Sequence, residues 1–349
     1  MTSASATPLF LAACGGQAVA HPPVWFMRQA GRSLPEYRAV RGPGSILDAI
    51  AKPELAAEIT MQPVRRYGVD AAVLYSDIVV PVAAIGFGVD VAPGTGPVVA
   101  QPFASRDDLA RLRPLEPELD TPYVLQTCRI LAAELPVPLI GFAGAPFTVA
   151  SYLIEGRPSR TYTRTKALMY EDETLWHDLA DKLADLAIAS LRSQVANGAR
   201  AVQLFDSWAG ALSLADYRRY VLPHSAKVLG AMAEAGVPRI HFGVDTGELL
   251  GAMAEAGADV VGVDWRVPLD IARSRIEAAR PGTGVQGNLD PAAVVAGWPV
   301  AKMKAIEVLA ANGGRPGHVF NLGHGVLPET DPSVLERLVA FVHGDDPDA

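Results

Sequence analysis

The sequence lacks the features that mark several large classes of protein. Its 349 residues include two cysteines, Cys14 and Cys128, too few and too far apart for a disulfide framework or a zinc site. We therefore expect a reducing, cytoplasmic location. No apolar run approaches the length of a membrane span. Residues 11–14 have the pattern of a lipoprotein processing site, but no Lys or Arg precedes them, so we interpret them as a short helix with Cys14 packed and unreactive.

Positive charge and several common motifs are also scarce. The formal net charge is -8 at pH 7, which disfavours long-range attraction to nucleic acid or to an anionic membrane. An anionic partner would have to be held by a local group of cations. The sequence contains no Gly-x-Gly-x-x-Gly after its first strand, no phosphate loop, no Ser-His-Asp elbow and no metal-binding histidine pair, so it gives no sign of these sites.

Eight strand-like apolar runs alternate with helical patterns along the chain. The runs begin near residues 24, 69, 138, 199, 239, 259, 284 and 318. Strict alternation requires parallel pairing, and eight runs favour a closed barrel over an open sheet. We predict an α/β fold, a single (β/α)8 TIM-type barrel over residues 1–349, with a partly disordered lead-in over 1–22. An open doubly wound sheet is the alternative, weakened by the missing glycine motif.

Helical periodicity and turn residues complete this prediction. Residues 81–103, rich in Gly, Pro and Val, indicate a long excursion or a small hairpin rather than a second domain. The basic stretch 157–164 is either a flexible lid or a solvated turn, and we favour the turn. Helices are predicted over 52–67, 121–135, 171–197, 217–235, 247–256, 269–279, 291–311 and 332–342.

The first apolar run leads directly into a loop rich in arginine. Residues 24–41 read VWFMRQAGRSLPEYRAVR and contain Arg28, Arg32, Arg38 and Arg41, opposed only by Glu36. A guanidinium group stays charged and binds a carboxylate or phosphate with two hydrogen bonds. A solvated loop with surface ion pairs is the alternative. Because the arginines follow a buried-looking strand, we interpret this loop as an anion-binding site.

Other polar residues follow later strands. Asp77 ends the second run, Ser207 the fourth and His324 the eighth, so a barrel would bring them to the active-site cleft at the carboxyl ends of its strands. His324 should lie near the arginine loop, since the eighth strand of a closed barrel neighbours the first. Asp77 could instead cap the following helix, and His324 could have a capping or loop role.

Several other polar and aromatic residues have either a structural or a functional interpretation. Tyr152 lies on a helix after the glycine-rich turn GFAGAP and is either packed or functional. Asp206 and Ser207 could form a capping pair for the next helix. Histidines outside a glycine-flanked setting are interpreted as structural: His224, His241 and His318.

At these residues the chain resembles the uroporphyrinogen decarboxylase family. The resemblance runs from Pro23 to about Asp331. The first motif is highly specific, because MRQAGR after a strand is rare in unrelated chains. Two mild departures, Ser33 and Met61, touch no candidate ligand. The matching motifs are PVWFMRQAGRSLPEYR, MQPVRRYGVDAAVLYSDI, GFAGAPFTVASYLIEG, QLFDSWAG, GNLDP and NLGHGVLPETDP.

The resemblance implies a homodimeric barrel enzyme that removes carbon dioxide from the four acetate side chains of uroporphyrinogen III, giving coproporphyrinogen III. It implies no cofactor, while the net charge and the missing motifs described above argue against nucleic acid, a membrane or a metal as partner. Asp77 would be catalytic, stabilising the cationic ring. The proton donor stays open, because a guanidinium is a poor acid, whereas His324 could donate or only bind. The implied substrate-binding residues are Arg28, Gln29, Ala30, Gly31, Arg32, Asp77, Tyr152, Ser207 and His324.

Two other functions fit the pattern less well. A corrinoid-dependent methyltransferase would share the barrel but needs zinc held by His and Cys, for which this sequence has no suitably spaced set. A non-catalytic tetrapyrrole carrier would need the same anion-binding loop. Spacing alone does not separate a carrier from a decarboxylase.

Overall fold

The computed structural model describes residues 7–31, 33–92 and 95–345. Arg32 and residues 1–6 of the predicted lead-in therefore lie outside the described residues. The described part of the lead-in begins with α1, Leu9–Cys14. Cys14 is buried, and this burial raises the pKa of its thiol, which confirms the expected packed, unreactive cysteine. No helix among the described residues is long and apolar enough to cross a membrane.

Most of the described strands form one curled parallel sheet, a half-barrel. The strands pair in sequential order, all neighbours being parallel. A doubly wound sheet reverses its strand order at a switch point, so the sequential order removes that alternative. The strands of this sheet are β1 (Ala72–Val73), β4 (Leu139–Gly144), β5 (Ala201–Asp206), β6 (Arg239–Gly243), β7 (Val260–Gly262), β8 (Gly284–Gln286) and β9 (His318–Val319).

A separate hairpin lies between β1 and β4. Strands β2 (Val89–Ala92) and β3 (Gly96–Val99) pair antiparallel, which confirms the small hairpin expected in residues 81–103. Residues 93 and 94 lie outside the described part of the chain.

The helices fall close to the predicted positions. Two predictions differ locally. The helix predicted over 217–235 begins with a π-helical turn, Tyr217–Val221, because Pro223 cannot donate a backbone hydrogen bond. The helix predicted over 291–311 is divided at Gly297, whose φ of 96° is incompatible with a helix.

The remaining bounds are α2 (Pro35–Arg41), α3 (Ile46–Ile50), α4 (Pro53–Tyr67), α5 (Val80–Ala84), α6 (Pro117–Asp120), α7 (Pro122–Glu134), α8 (Pro146–Glu155), α9 (Thr163–Glu171), α10 (Glu173–Ala196), α11 (Leu214–Asp216), α12 (Leu222–Ala233), α13 (Leu250–Glu255), α14 (Leu269–Ala279), α15 (Pro291–Val295), α16 (Trp298–Asn312) and α17 (Pro332–His343), with short 3-10 turns at Arg106–Arg111 and Ala209–Ala211.

The first predicted strand is present only as a short extended segment. Val24 forms a single parallel bridge to Phe320 beside β9. Two prolines precede it, and proline cannot donate to a sheet ladder, while Arg28 turns the chain away with a φ of 58°. These constraints limit regular pairing to a few residues. The segment nevertheless reaches across the sheet interior, where Trp25 Nε1 donates to Gln286 Oε1 over 3.0 Å.

Alternate residues of the strands face two different apolar layers. On β5, Ala201 packs with Trp25 and Ile240 inside the curled sheet. Val202 and Leu204 pack outward against the helices. Because side chains alternate along a strand, this parity assigns residues 201, 203 and 205 to the inner face and Asp206 to the helix layer.

Asp70 joins the extended segment to both the sheet and the last helix. Its Oδ2 accepts a hydrogen bond from Val24 N–H over 2.7 Å and lies 2.8 Å from His343 Nε2 on α17. Its own N–H donates to the Val24 carbonyl over 2.8 Å. Asp70 therefore links segments from the beginning and the end of the described chain.

We predict that Asp70→Ala lowers the free energy of unfolding by about 1–3 kcal/mol, because it leaves the Val24 N–H without its partner. Urea denaturation at neutral pH measures the change. Asp107→Ala is the matched control, since Asp107 is exposed and its side chain bonds to no described residue; it should change stability by less than about 0.5 kcal/mol. Equal unfolding midpoints for the two variants would contradict the role of Asp70.

Candidate active site

The predicted site residues follow the carboxyl ends of several parallel strands. Arg28 follows the extended segment, Asp77 follows β1 and Ser207 follows β5 directly. His324 comes after β9, and Tyr152 lies on α8, which follows β4. The carboxyl ends of parallel strands meet at one edge of a sheet. The fold therefore brings these residues to that one edge, which we call the mouth.

The loops that carry Arg28 and His324 are in direct contact. Val326 N–H donates to the Met27 carbonyl over 2.8 Å. The Arg28 side chain lies across Gly325, where a Cβ atom would stand 2.5 Å from Arg28 Cδ. Only glycine leaves room for this arrangement. The expected proximity of His324 to the arginine loop is confirmed.

Asp77 combines a hydrogen bond to the backbone with a charged position in the mouth. Its Oδ1 accepts a hydrogen bond from Val79 N–H over 3.0 Å within the turn before α5. Because α5 has no side-chain cap, the capping alternative for Asp77 is wrong. The Asp77 residue is half-buried. Burial raises the pKa of Asp77, while the Val79 N–H and the Arg28 guanidinium partly oppose that rise. The carboxylate is poorly solvated and lies within the electrostatic reach of Arg28.

His324 is neutral near pH 7. Burial and, to a smaller extent, the nearby Arg28 charge lower its pKa to about 4, although the Asp264 carboxylate partly opposes them. Its ring stacks with Phe242 at a centroid distance of 6.2 Å. Above pH 4 the imidazole therefore offers a neutral N–H to a ligand, and it carries little of the protonated form that an acid catalyst needs.

Tyr152 belongs to an aromatic group that the sequence analysis missed. Its ring lies 3.9 Å from the ring of Trp208, and Trp208 lies 5.1 Å from Tyr162. Burial raises the pKa of the Tyr152 phenol, and the Asp77 carboxylate raises it further, so the hydroxyl stays protonated. Trp208 directly follows Ser207 at a strand end, which was the available signal that it would lie at the mouth.

The middle of the arginine loop shapes the backbone. The Gln29 side chain is buried, accepting from Phe26 N–H over 2.9 Å and donating to the Ala71 carbonyl over 3.1 Å. At Gly31 a Cβ atom would stand 2.9 Å from the Arg28 carbonyl oxygen, so a side chain there would crowd the turn. Ala30 is half-buried against the core. These three residues hold the loop in the form that presents Arg28.

The remaining arginines of the loop do not all reach the mouth. Arg41 donates to the carbonyls of Gly42 and Gly44, the latter over 2.9 Å, and so fixes its own turn. Arg38 is exposed on α2. Arg32 lies outside the described residues. Glu36, the acid expected to oppose the charge of these arginines, instead forms an ion pair with Arg66 on α4 over 2.5 Å.

The proposed capping pair at the end of β5 is wrong. Asp206 is fully buried and accepts a hydrogen bond from Thr148 Oγ1 over 2.8 Å. The 3-10 turn that follows has no side-chain cap. Asp206 points into the helix layer, as its position on the strand requires, while Ser207 is half-buried at the mouth. The histidines interpreted as structural, His224, His241 and His318, are all buried.

No group of three His, Cys, Asp or Glu side chains within the described ranges is arranged to hold a metal ion. Both cysteines are buried away from the mouth, Cys14 on α1 and Cys128 on α7. Among the described residues, the groups brought together at the mouth include the Arg28 guanidinium, the Asp77 carboxylate, the Tyr152 hydroxyl and the neutral His324 imidazole. Such a set suits a polyanionic organic ligand that also carries hydrogen-bond donors.

Solved structures and curated proteins resemble this chain. A solved methyltransferase from Methanosarcina mazei aligns with a TM-score of 0.77 over 96% of this chain and 97% of that one, at 20% sequence identity, which shows a shared fold alone. Two proteins called uroporphyrinogen decarboxylase, from Salinispora tropica and Streptomyces griseus, are each 62% identical over 335 residues, covering 96% of this chain and 89% and 91% of their own lengths. The family model for uroporphyrinogen decarboxylase (URO-D) matches residues 5–344. The chain therefore belongs to the uroporphyrinogen decarboxylase family.

Proposed function

We propose that this chain is a cofactor-independent carboxy-lyase that removes the four acetate carboxyl groups of uroporphyrinogen III to give coproporphyrinogen III in porphyrin and haem biosynthesis. The observation that carries the proposal is the poorly solvated Asp77 carboxylate beside Arg28 and Tyr152, in a chain of this family. A corrinoid-dependent methyltransferase is disfavoured because neither cysteine reaches the mouth.

The chemistry needs a place for the electrons that carbon dioxide leaves behind. Protonation of the pyrrole carbon beside the acetate makes the ring cationic. The C–C bond to the carboxylate then breaks, and its electron pair moves into the ring, leaving an exocyclic methylene. A proton added to the methylene gives the methyl group, and loss of the proton first placed on the ring restores the pyrrole. Each cycle therefore consumes one proton and releases one carbon dioxide.

Asp77 is the proposed catalytic residue. Its carboxylate accepts hydrogen bonds from the pyrrole N–H groups and stabilises the ring cation as positive charge develops. An anion held in a poorly solvated site interacts with that charge more strongly than an anion in water. The raised pKa of Asp77 is the mark of that poor solvation.

The other site residues bind and orient the macrocycle. Arg28, and by family resemblance Arg32, pair with substrate carboxylates through two hydrogen bonds each. Tyr152, Ser207 and His324 act as neutral hydrogen-bond partners of side chains. Gln29, Ala30 and Gly31 contribute through the backbone of the loop. Because His324 is neutral near pH 7, we assign it to binding rather than to proton donation.

We also propose that the half-barrel closes as a (β/α)8 barrel forming a single domain. The described sheet is open between its first strand, β1, and its last strand, β9. The support for closure comes from hydrogen bonds that the extended segment forms on both sides of this opening. Phe320 N–H donates to the Pro23 carbonyl over 2.8 Å, and Asp70 N–H donates to the Val24 carbonyl over 2.8 Å. The segment that leads to Arg28, the first strand-like run of the sequence, thus completes the eight positions of the barrel between β9 and β1.

We propose a homodimer from the family resemblance, and a cytoplasmic location from the scarcity of cysteine. A dimer of this 36.8 kDa chain should sediment at twice the monomer mass at micromolar concentration. Sedimentation equilibrium measures this directly. A single species of monomer mass throughout the concentration range would overturn the dimer.

The proposed activity is tested by incubating the purified protein with uroporphyrinogen III under anaerobic conditions, with a chelator present and no metal added. We expect products with progressively fewer carboxyl groups, ending at coproporphyrinogen III, resolved by chromatography after oxidation to porphyrins. Tight binding without any change in the ligand would identify a carrier instead. Absence of both binding and turnover would exclude the proposal.

Two substitutions at Asp77 separate its charge from its hydrogen bond to the Val79 N–H. Asp77→Asn keeps an oxygen for the Val79 N–H but removes the charge, so we expect kcat to fall by about 100- to 1000-fold. Asp77→Ala removes both the charge and this hydrogen bond. Steady-state assays on the two variants measure the effect, and near-normal turnover by Asp77→Asn would exclude Asp77 from the mechanism.

The Asp77→Asn variant should be more stable to unfolding than the parent protein at neutral pH. The folded pKa of Asp77 is raised, so the unfolded state ionises first as pH rises, and this carboxylate destabilises the folded state above that range. Urea midpoints should therefore favour Asp77→Asn at pH 7, with the difference vanishing below the unfolded pKa of about 4. A less stable Asp77→Asn at pH 7 would show that the charge is well compensated.

Substitution of Arg28 should act mainly on binding. Arg28→Gln removes a charged, forked donor, and hydrogen bonds to charged groups contribute about 1.5–3 kcal/mol, so we expect KM to rise about 10- to 100-fold. Arg38→Gln, on an exposed arginine of α2, provides a comparison of equal charge change. An unchanged KM in Arg28→Gln would indicate a purely structural loop.

A further inference from the structure

We propose that Arg157, Arg160 and Arg164 form a second cationic element at the rim of the mouth, which attracts the polycarboxylate substrate and holds its outer carboxylates. We call these three residues the rim arginines. The inference rests on the proposed decarboxylase function and deepens it, because it assigns substrate selection to residues that the catalytic group does not include.

The rim arginines are not neutralised by the protein. All three are exposed, and none forms an ion pair or a side-chain hydrogen bond with a described residue. Glu155 is the only acid between residues 155 and 166. Its Oε1 accepts from the N–H and the Oγ1 of Thr165, both over 3.0 Å, so it serves the start of α9 instead.

A fixed aromatic contact ties this stretch to the mouth. Tyr162 lies between Arg160 and Arg164 and packs its ring 5.1 Å from Trp208, which lies 3.9 Å from Tyr152. Backbone constraints support that position, since Tyr162 N–H donates to Ser159 Oγ over 3.0 Å. The arginines on either side of Tyr162 therefore lie along the rim next to Tyr152.

Two neighbouring contacts anchor the same stretch on either side. Lys166 Nζ donates to the Ala211 carbonyl over 2.8 Å, just beyond Trp208. Pro158 packs against the β2–β3 hairpin, where a Cβ atom at Gly96 would lie 3.5 Å from Pro158 Cγ. The stretch is thus an ordered turn fastened at several points, which presents its cations from a defined position beside the mouth.

Unpaired cations at this place have a specific electrostatic consequence. The protein as a whole carries a formal charge of -8, so an approaching polyanion is repelled except where cations lie near the entrance. Each decarboxylation removes one negative charge from the substrate. The rim arginines therefore favour uroporphyrinogen over intermediates that have already lost acetates, and they favour the final product least.

The test compares two double variants with equal charge change. Arg157→Gln/Arg160→Gln removes two rim cations from the irregular turn before α9. Arg200→Gln/Arg315→Gln removes two exposed arginines that precede β5 and β9, at the amino ends of the strands and away from the mouth. Circular dichroism and urea midpoints establish that each variant is folded.

For the rim variant we expect kcat/KM for uroporphyrinogen III to fall about 3- to 10-fold at low ionic strength, with kcat unchanged, because electrostatic steering acts on association. The loss should shrink at about 0.5 M salt, where charges are screened within a few ångströms. The loss of kcat/KM should also be smaller when the substrate is the intermediate that has one acetate left. The control variant should stay within about twofold of the parent, since its removed charges precede β5 and β9 and so lie at the opposite ends of the strands from the mouth.

Other results would overturn the inference. Equal losses in the rim and control variants would show an effect of net charge alone, and a fall in kcat without a change in KM would show a structural role. Arg157→Lys/Arg160→Lys keeps both charges and should retain most of kcat/KM; a loss as large as with glutamine would exclude charge as the cause. If the parent is active and the rim variant matches it, only this inference fails. If the parent does not decarboxylate uroporphyrinogen, the proposed function fails with it.

Discussion

The mouth depends on holding one carboxylate in a place where water solvates it poorly. Burial raises the pKa of Asp77, and a Val79 N–H together with the Arg28 charge keeps that rise in check. An unpaired charge in such a place destabilises the folded state by several kcal/mol. The surrounding fold must therefore supply Arg28 at a fixed position, and the conformation of the arginine loop follows from this requirement.

The arginine loop is fixed by residues that do not themselves present charge. Gln29 bonds to the backbone on both sides of the turn. Gly31 and Gly325 leave space that a Cβ atom would fill. Arg28 adopts a φ of 58°, a conformation that is strained for a residue with a side chain. Strain of this kind persists only where neighbouring contacts impose it, and here those contacts direct a guanidinium toward the mouth.

The sequence predicted the elements better than the contacts between them. Alternating apolar runs and turn glycines located most helices within a few residues, because periodicity and capping are local properties. The contact between the Trp208 and Tyr152 rings and the hydrogen bond from Thr148 to Asp206 join residues that are distant in sequence, and a single sequence gives no signal for such pairs. Regular pairing at Val24 was overestimated, since an apolar run reveals burial but not how many ladder bonds a proline-flanked segment forms.

Burial acts in opposite directions on two titratable groups that lie within the electrostatic reach of Arg28. It raises the pKa of Asp77 and lowers that of His324 to about 4, because in each case it disfavours the charged form. Arg28 opposes the first shift and strengthens the second. In the proposed reaction the substrate supplies the missing partner of Asp77: pyrrole N–H groups that hydrogen-bond to the carboxylate would favour its ionised form, as the Val79 N–H already does. Under that proposal, substrate binding and ionisation of Asp77 stabilise each other, and the site that destabilises the free protein is complementary to a ring on which positive charge develops.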